Sequence, residues 1–169
     1  MLQDSAIRRI VAADVDAVTA IYAEVLDPSY ISFSEIGEGK TEGFSKLSPD
    51  APAIFRKQLA ALVDSPLHGF FIAEVGGEPA GFALASVHDT EGGFVECWLD
   101  DLGVGLSWRR RGVAKALVER VFAWGAEQNA SYYLLESGVR NESAHHLFEQ
   151  LGFRPLATVF WRGGQGDAQ

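Results

Sequence analysis

Residues 70–104 contain three strand-length apolar runs in succession, "FFIAEV", "PAGFALASV" and "FVECWLDDLGV", and this feature most limits what the chain can fold into. The first two are joined through Gly76 and Gly77, a hairpin signal, and the third follows the turn residues of "HDTEGG". Three strands joined in this way form an antiparallel meander. Helical patterns lie on both sides of it, so its faces are expected to be buried against helices.

Ahead of the meander, a short apolar strand is expected near residues 7–11. Asp14 can then cap a helix in which Val15, Val18, Tyr22 and Val25 recur at three- and four-residue steps, and Pro28 ends it. The segment "SYISFSEIGEGKTEGFSKLSPD" is rich in Ser, Gly and Glu, has no sustained periodicity, and is longer than a connection requires, which is the habit of binding loops. Ser48 and Pro49 open a second helix with Phe55, Leu59 and Leu62 on one face. Beyond the meander, the pattern predicts a helix over 112–127 and a short strand in "SYYLLES". A further helix spans 141–151, with Asn141 as N-cap and Gly152 as its stop, and "RPLATVFW" reads as a closing strand. The order is that of an α/β sandwich, a mixed and mostly antiparallel sheet flanked by helices. With no repeat and no linker, residues 1–162 read as one domain and 163–169, "GGQGDAQ", as a flexible tail.

Several function classes are disfavoured by composition. A formal net charge of -9 argues against general nucleic-acid binding, which relies on clustered Lys and Arg. The N-terminal stretch lacks a long apolar core, so neither a secretory signal nor a membrane span is expected there, and the cytoplasm is the expected location. Cys97 stands alone, which excludes an intramolecular disulfide and suits apolar filler. Four scattered His and one Cys have no metal-ligand spacing, so no metal is expected.

Against this acidic background, "WRRRGVAKAL" places three arginines directly before a glycine that opens a helix. The first N–H groups of a helix have no partner within it, and a glycine there lets an anion approach the main chain closely. A diphosphate suits such a cradle, and a solvated basic turn is the plain alternative. The segment Arg109, Arg110, Arg111, Gly112, Val113, Ala114 resembles the pyrophosphate-binding pattern of the acyl-CoA-dependent N-acetyltransferase superfamily, GNAT: Arg or Gln, two residues, Gly, one residue, Gly or Ala. "NESAHHLFEQLGF" is similar to a later motif of that family, in which Asn opens a helix that ends in Leu-Gly-Phe, and "WLDDLGV" resembles its fourth strand.

The resemblance covers essentially the whole domain and implies a GNAT-like sheet whose fourth and fifth strands are splayed. It also implies acetyl-CoA as acetyl donor. Backbone amides from Arg110 to Lys115 would bind the pyrophosphate, Leu102 and Val104 would pair with the pantetheine arm, and Asn141 would touch that arm. A small amine or a lysine-bearing peptide would be the acceptor, and a homodimer through the final strands is ordinary for the family resembled.

In "FVECWLDDLGV" the apolar parity changes: Val95, Cys97 and Leu99 share one face, Leu102 and Val104 the other. An extra residue near Asp100 and Asp101, a β-bulge, would return both sets to the core and re-aim the carboxylates. A protonated amine must lose its proton before attacking, at a cost of roughly 4 kcal/mol at pH 7. Asp100 is therefore the expected base or water-holder, Glu96 the second candidate, and Asp101, of opposite parity, is expected to be structural. A solvent-edge or arginine-paired role is the alternative for these acids. Trp98 falls between Glu96 and Asp100.

The family's usual general acid is a Tyr seven residues after the motif Asn; here that position is Phe148. His145, His146, Tyr132, Tyr133 and Ser137 are the other candidate donors. An acyl-CoA-binding sensor or partner-recognition module with little turnover is the second reading, and Phe148 is its main support. Glu35, Glu38 and Glu42 of the long loop could line an acceptor site that favours a cation.

Overall fold

The structure, a computed structural model, describes residues 5–162. The expected tail at 163–169 lies outside those residues. Strands β1 (Ser5–Arg9), β4 (Phe71–Val75), β5 (Glu78–Asp89), β6 (Val95–Val104) and β7 (Tyr132–Leu135) form one sheet in that order, with β7 parallel to β6 and every other pairing antiparallel. A two-residue hairpin, β2 (Thr41–Glu42) and β3 (Lys46–Leu47), stands apart. The helices are α1 (Val15–Val25), α2 (Phe33–Gly37), α3 (Ala51–Leu62), α4 (Val113–Glu127) and α5 (Glu142–Gln150). The mixed, mostly antiparallel sheet and its flanking helices are as the sequence predicts.

Period-two alternation gives the sheet two buried faces. Phe71, Ala73, Ala83, Ala85, Cys97 and Leu99 pack with Val113, Leu117, Val118, Val121 and Trp124 of α4. The small alanines let α4 settle close to the strands. On the other face, Ile72, Phe82 and Leu84 pack with Val15, Val18 and Tyr22 of α1 and Phe55 and Leu59 of α3. Each fully buried side chain of this kind contributes roughly 1.5–3 kcal/mol, so the two clusters dominate the stability of the fold.

Three differences from the sequence reading have clear causes. The first strand runs Ser5–Arg9 rather than over 7–11; beyond Arg9 the pairing narrows to one bond, from Ile10 N–H to Phe70 O at 2.9 Å, while the Ile10 side chain joins the α1/α3 core. The long loop contains α2, whose capping box joins Ser32 and Glu35, a local signal too short to show periodicity. Residues 154–161 form no strand: Leu156, Val159 and Phe160 are exposed, and apolar alternation alone supplies no partner. Trp161 instead stacks on Phe44 at 4.0 Å between ring centroids. No helix among the described residues is long and apolar enough to cross a membrane.

Candidate active site

The parity change in β6 is resolved by a bulge at Asp100. Leu99 lies opposite Ala85 and Asp101 opposite Leu84, so Asp100 is the extra residue. Leu99, Leu102 and Val104 thereby reach the same apolar cluster. On its other side, β6 pairs with β7 only from Glu96 to Leu99, and from Asp100 onward no strand among the described residues pairs with that edge. The expected splay between these two strands is therefore present, and the bulge stands at its apex.

A cavity of about 380 Å³ opens at this point. Asp100, Asp101, Trp98, Leu102, Asn141 and Phe148 all line it, whereas Glu96 and Val104 do not. Asp100 borders the cavity and accepts a hydrogen bond from Ser86 Oγ at 3.1 Å. Asp100 keeps an exposed edge on the cavity, but the groups packed around its carboxyl desolvate it in part and push its pKa up to about 7; Asp101 and Glu38 raise it further, while the Ser86 hydrogen bond and Lys40 oppose the rise. Glu96, expected as the second base, is committed elsewhere. It accepts from Trp98 Nε1 at 2.9 Å and from Tyr132 Oη at 3.0 Å, and those two bonds hold it below the ordinary carboxylate range.

Asp101 is more than a strand residue. It accepts from Tyr30 Oη at 2.7 Å, lies 3.9 Å from Lys40 Nζ, and burial pushes its pKa up to about 6, with Lys40 and Tyr30 pulling the other way. Lys40 is 2% exposed and forms an ion pair with Glu38 at 2.6 Å. Desolvation alone would lower its pKa, but Asp101, Glu38 and Glu35 outweigh it and keep it an ammonium. Sequence reasoning passed over Tyr30 and Lys40 because nothing local distinguishes them; the long loop that carries them was the only signal. Glu35 and Glu38 line the cavity as anticipated, and Glu42 instead pairs with Lys46.

The loop is held over the cavity by the segment that follows β7. Glu136 accepts from the backbone N–H groups of Phe33 and Ser34 and from Ser34 Oγ, anchoring the first turn of α2. Arg140 donates to Pro28 O at 3.1 Å. Gly138 permits this approach: a Cβ there would sit 2.3 Å from Ile31 O, closer than atoms can come.

At the far end of β6, Gly112 has φ +85° and leads directly into α4, and no side chain caps that helix. A Cβ at Gly112 would meet nothing within 4 Å, so its place is open space before the first-turn N–H groups. Arg111 lies over the Trp108 ring at 5.1 Å, and Lys115 pairs with Glu119. Arg109 and Arg110 complete the turn, and Val113 and Ala114 open α4, with Val113 buried in its core face. An open, uncapped main-chain cradle fits a diphosphate, and the bare edge of β6 leads from it to Asp100.

Asn141 precedes α5 but makes no capping hydrogen bond, which leaves its amide free to line the cavity. Among the candidate thiolate donors, Ser137 lines the cavity; Tyr132 and Tyr133 turn their hydroxyls to Glu96 and to Phe122 O, and His146 lies beside Gln150. No group of three or more His, Cys, Asp or Glu among the described residues could hold a metal.

A sequence model described as "Acetyltransferase (GNAT) family" matches residues 33–153. The chain is 32% identical over 115 residues to N-acetyltransferase 8F1 of Rattus norvegicus, an alignment covering 63% of this chain and 52% of that protein. It therefore spans about half the length of that relative. Its fold is similar to that of aminoglycoside N-acetyltransferase AAC(6')-Iy in complex with CoA, with a TM-score of 0.68, 22% identity and 95% of each chain covered. The same acetyltransferase bound to the bisubstrate analogue CoA-S-monomethyl-acetylneamine gives a TM-score of 0.66 at 22% identity, covering 96% of this chain and 99% of that one. The matched region runs from α2 through α5 and includes the bulge, the splay and the glycine turn: the chain belongs to the acetyltransferase (GNAT) family.

Proposed function

We propose that the protein is an N-acetyltransferase that moves the acetyl group of acetyl-CoA to an amine by direct attack in a ternary complex. The observation that carries this reading is the position of Asp100 at the splay, on the cavity wall, with a pKa of about 7. A base of that pKa is half ionised near neutral pH, where it can both take a proton and give it up.

Backbone N–H groups from Arg110 to Lys115 would hold the pyrophosphate, with Arg109 and Arg111 adding local positive charge, and Leu102, Val104, Asn141 and Phe148 would border the pantetheine arm. Acetyl-CoA, when bound, supplies a thioester carbon for the amine to attack and a thiolate that leaves. Asp100 takes a proton from the ammonium form of the acceptor, directly or through one water, freeing the nitrogen lone pair. Glu35, Glu38 and Asp101 make the acceptor side acidic, and Lys40 offsets part of that charge, so a small cationic amine or a lysine side chain is the favoured acceptor. Phe148 cannot protonate the leaving thiolate, and Ser137, one of the donors the sequence offered, borders the same space.

Phe148 also favours a second reading, an acyl-CoA-binding module with little turnover. Calorimetric titration with acetyl-CoA followed by thiol-release assays over a panel of primary amines separates the two. Saturable 1:1 binding with amine-dependent thiol release is expected. Binding without release would favour the module, and no binding would remove both readings.

A further inference from the structure

Asp100 must lose the proton it gains before it can act again. Asp100 is exposed on its cavity side, where a donor in the splay and an acceptor in the cavity would stand over it, and a second exit would let the proton leave while both are bound. The carboxylate has one on its β5 side. Ser86 Oγ donates to Asp100 Oδ1 at 3.1 Å and lies 3.0 Å from His88 Nε2. Ser86 is 4% exposed, while His88 is exposed. The two residues are two apart on β5 and so share one strand face, and the bulge turns Asp100 toward that face. The result is an unbroken line from the cavity wall to solvent.

We infer that Ser86 and His88 form a proton relay that returns Asp100 to its ionised state while both substrates occupy the site. The inference rests on Asp100 being the base. A hydroxyl has one proton to give and two lone pairs to receive with, so Ser86 can pass a proton without changing its own charge. Protonated Asp100 donates its proton to Ser86 Oγ as the Ser86 proton moves to Nε2 of a neutral His88 that carries its proton on Nδ1. The imidazolium then releases the Nδ1 proton to water, so one proton has crossed and the ring is left as its Nε2–H tautomer. Return of the proton to Nδ1, with loss from Nε2, resets the ring. Ser86 and His88 act through Asp100 and do not touch the reacting atoms.

The charged neighbours suit this direction. Glu96 lies opposite His88 on β6 and favours the transient imidazolium, while His68, from the segment before β4, faces Ser86 and disfavours it. On the Asp100 side, Asp101 and Glu38 are balanced in part by Lys40.

The test uses kinetics on the intact chain. With a primary amine from the thiol-release panel and dilute buffer, Ser86→Ala and His88→Ala should lower kcat by roughly tenfold, less than a base in direct contact contributes. KM for acetyl-CoA should hold, and added imidazole should restore His88→Ala but not Asp100→Asn. Wild-type kcat in both relay variants alongside an inactive Asp100→Asn, or no response of His88→Ala to imidazole, would overturn the relay alone. A fully active Asp100→Asn would overturn the base and the relay together.

Discussion

The bulge at Asp100 and the turn at Gly112 lie at the two ends of one splayed edge and are built on opposite terms. The first gathers acidic side chains into a space that desolvates them, so its chemistry depends on what surrounds each carboxylate. The second spreads main-chain N–H groups toward open space, and its chemistry depends on backbone conformation. A side chain can be silenced by an isosteric swap, whereas a backbone cradle is silenced by blocking or straining the chain. One change should therefore strike rate and spare affinity, and the other should do the reverse.

The largest effect is expected at the bulge. Asp100→Asn should lower kcat by about 10²- to 10⁴-fold while the acetyl-CoA dissociation constant from calorimetry stays nearly unchanged. The wild-type rate should rise with pH as Asp100 ionises and level off above about pH 7, a profile that the Asn variant lacks. At the turn, Gly112→Val should weaken acetyl-CoA binding by about 10- to 100-fold, or about 1.4–2.8 kcal/mol, with kcat at saturation largely kept. Equal loss of affinity in both variants would erase the contrast between the two ends.

Stability sharpens the comparison further. The raised pKa values of Asp100 and Asp101 mean that the folded state holds more protons than the unfolded state between their ordinary value near 4 and about 7, so stability is lost as pH rises through that window. Asp100→Asn should accordingly raise Tm by roughly 2–4 °C at pH 8, as read by thermal denaturation, and have little effect at pH 4. Nothing similar is expected at the turn. The smallest effect is Arg111→Ala: an exposed ion pair with a phosphate is worth about 0.2–1 kcal/mol, a weakening of acetyl-CoA binding that calorimetry should see fade at high salt.

Sequence patterns displayed most of the fold and one half of the site. The meander, the α1, α3 and α4 faces and the Asp100 bulge were legible because period and parity are local properties of a strand or helix. Gly112 was legible for the same reason, since a strand, a turn and an uncapped helix follow one another in sequence. The closing strand failed because alternation in residues 154–161 shows only that a strand would suit them; pairing needs an edge, and the structure brings none to that segment.

What the sequence by itself determined is therefore the layered architecture, the parity break and the glycine turn before an uncapped helix, all of which follow from neighbours along the chain. Only the tertiary structure decided that Glu96 is tied to Trp98 and Tyr132, that Asp101 meets Tyr30 and Lys40, and that Ser86 and His88 stand behind Asp100. The physical reason is that a carboxylate's pKa and partners are set by desolvation and by charges within a few ångströms, and those neighbours come from residues 30–40, β5 and β7, far from Asp100 along the chain.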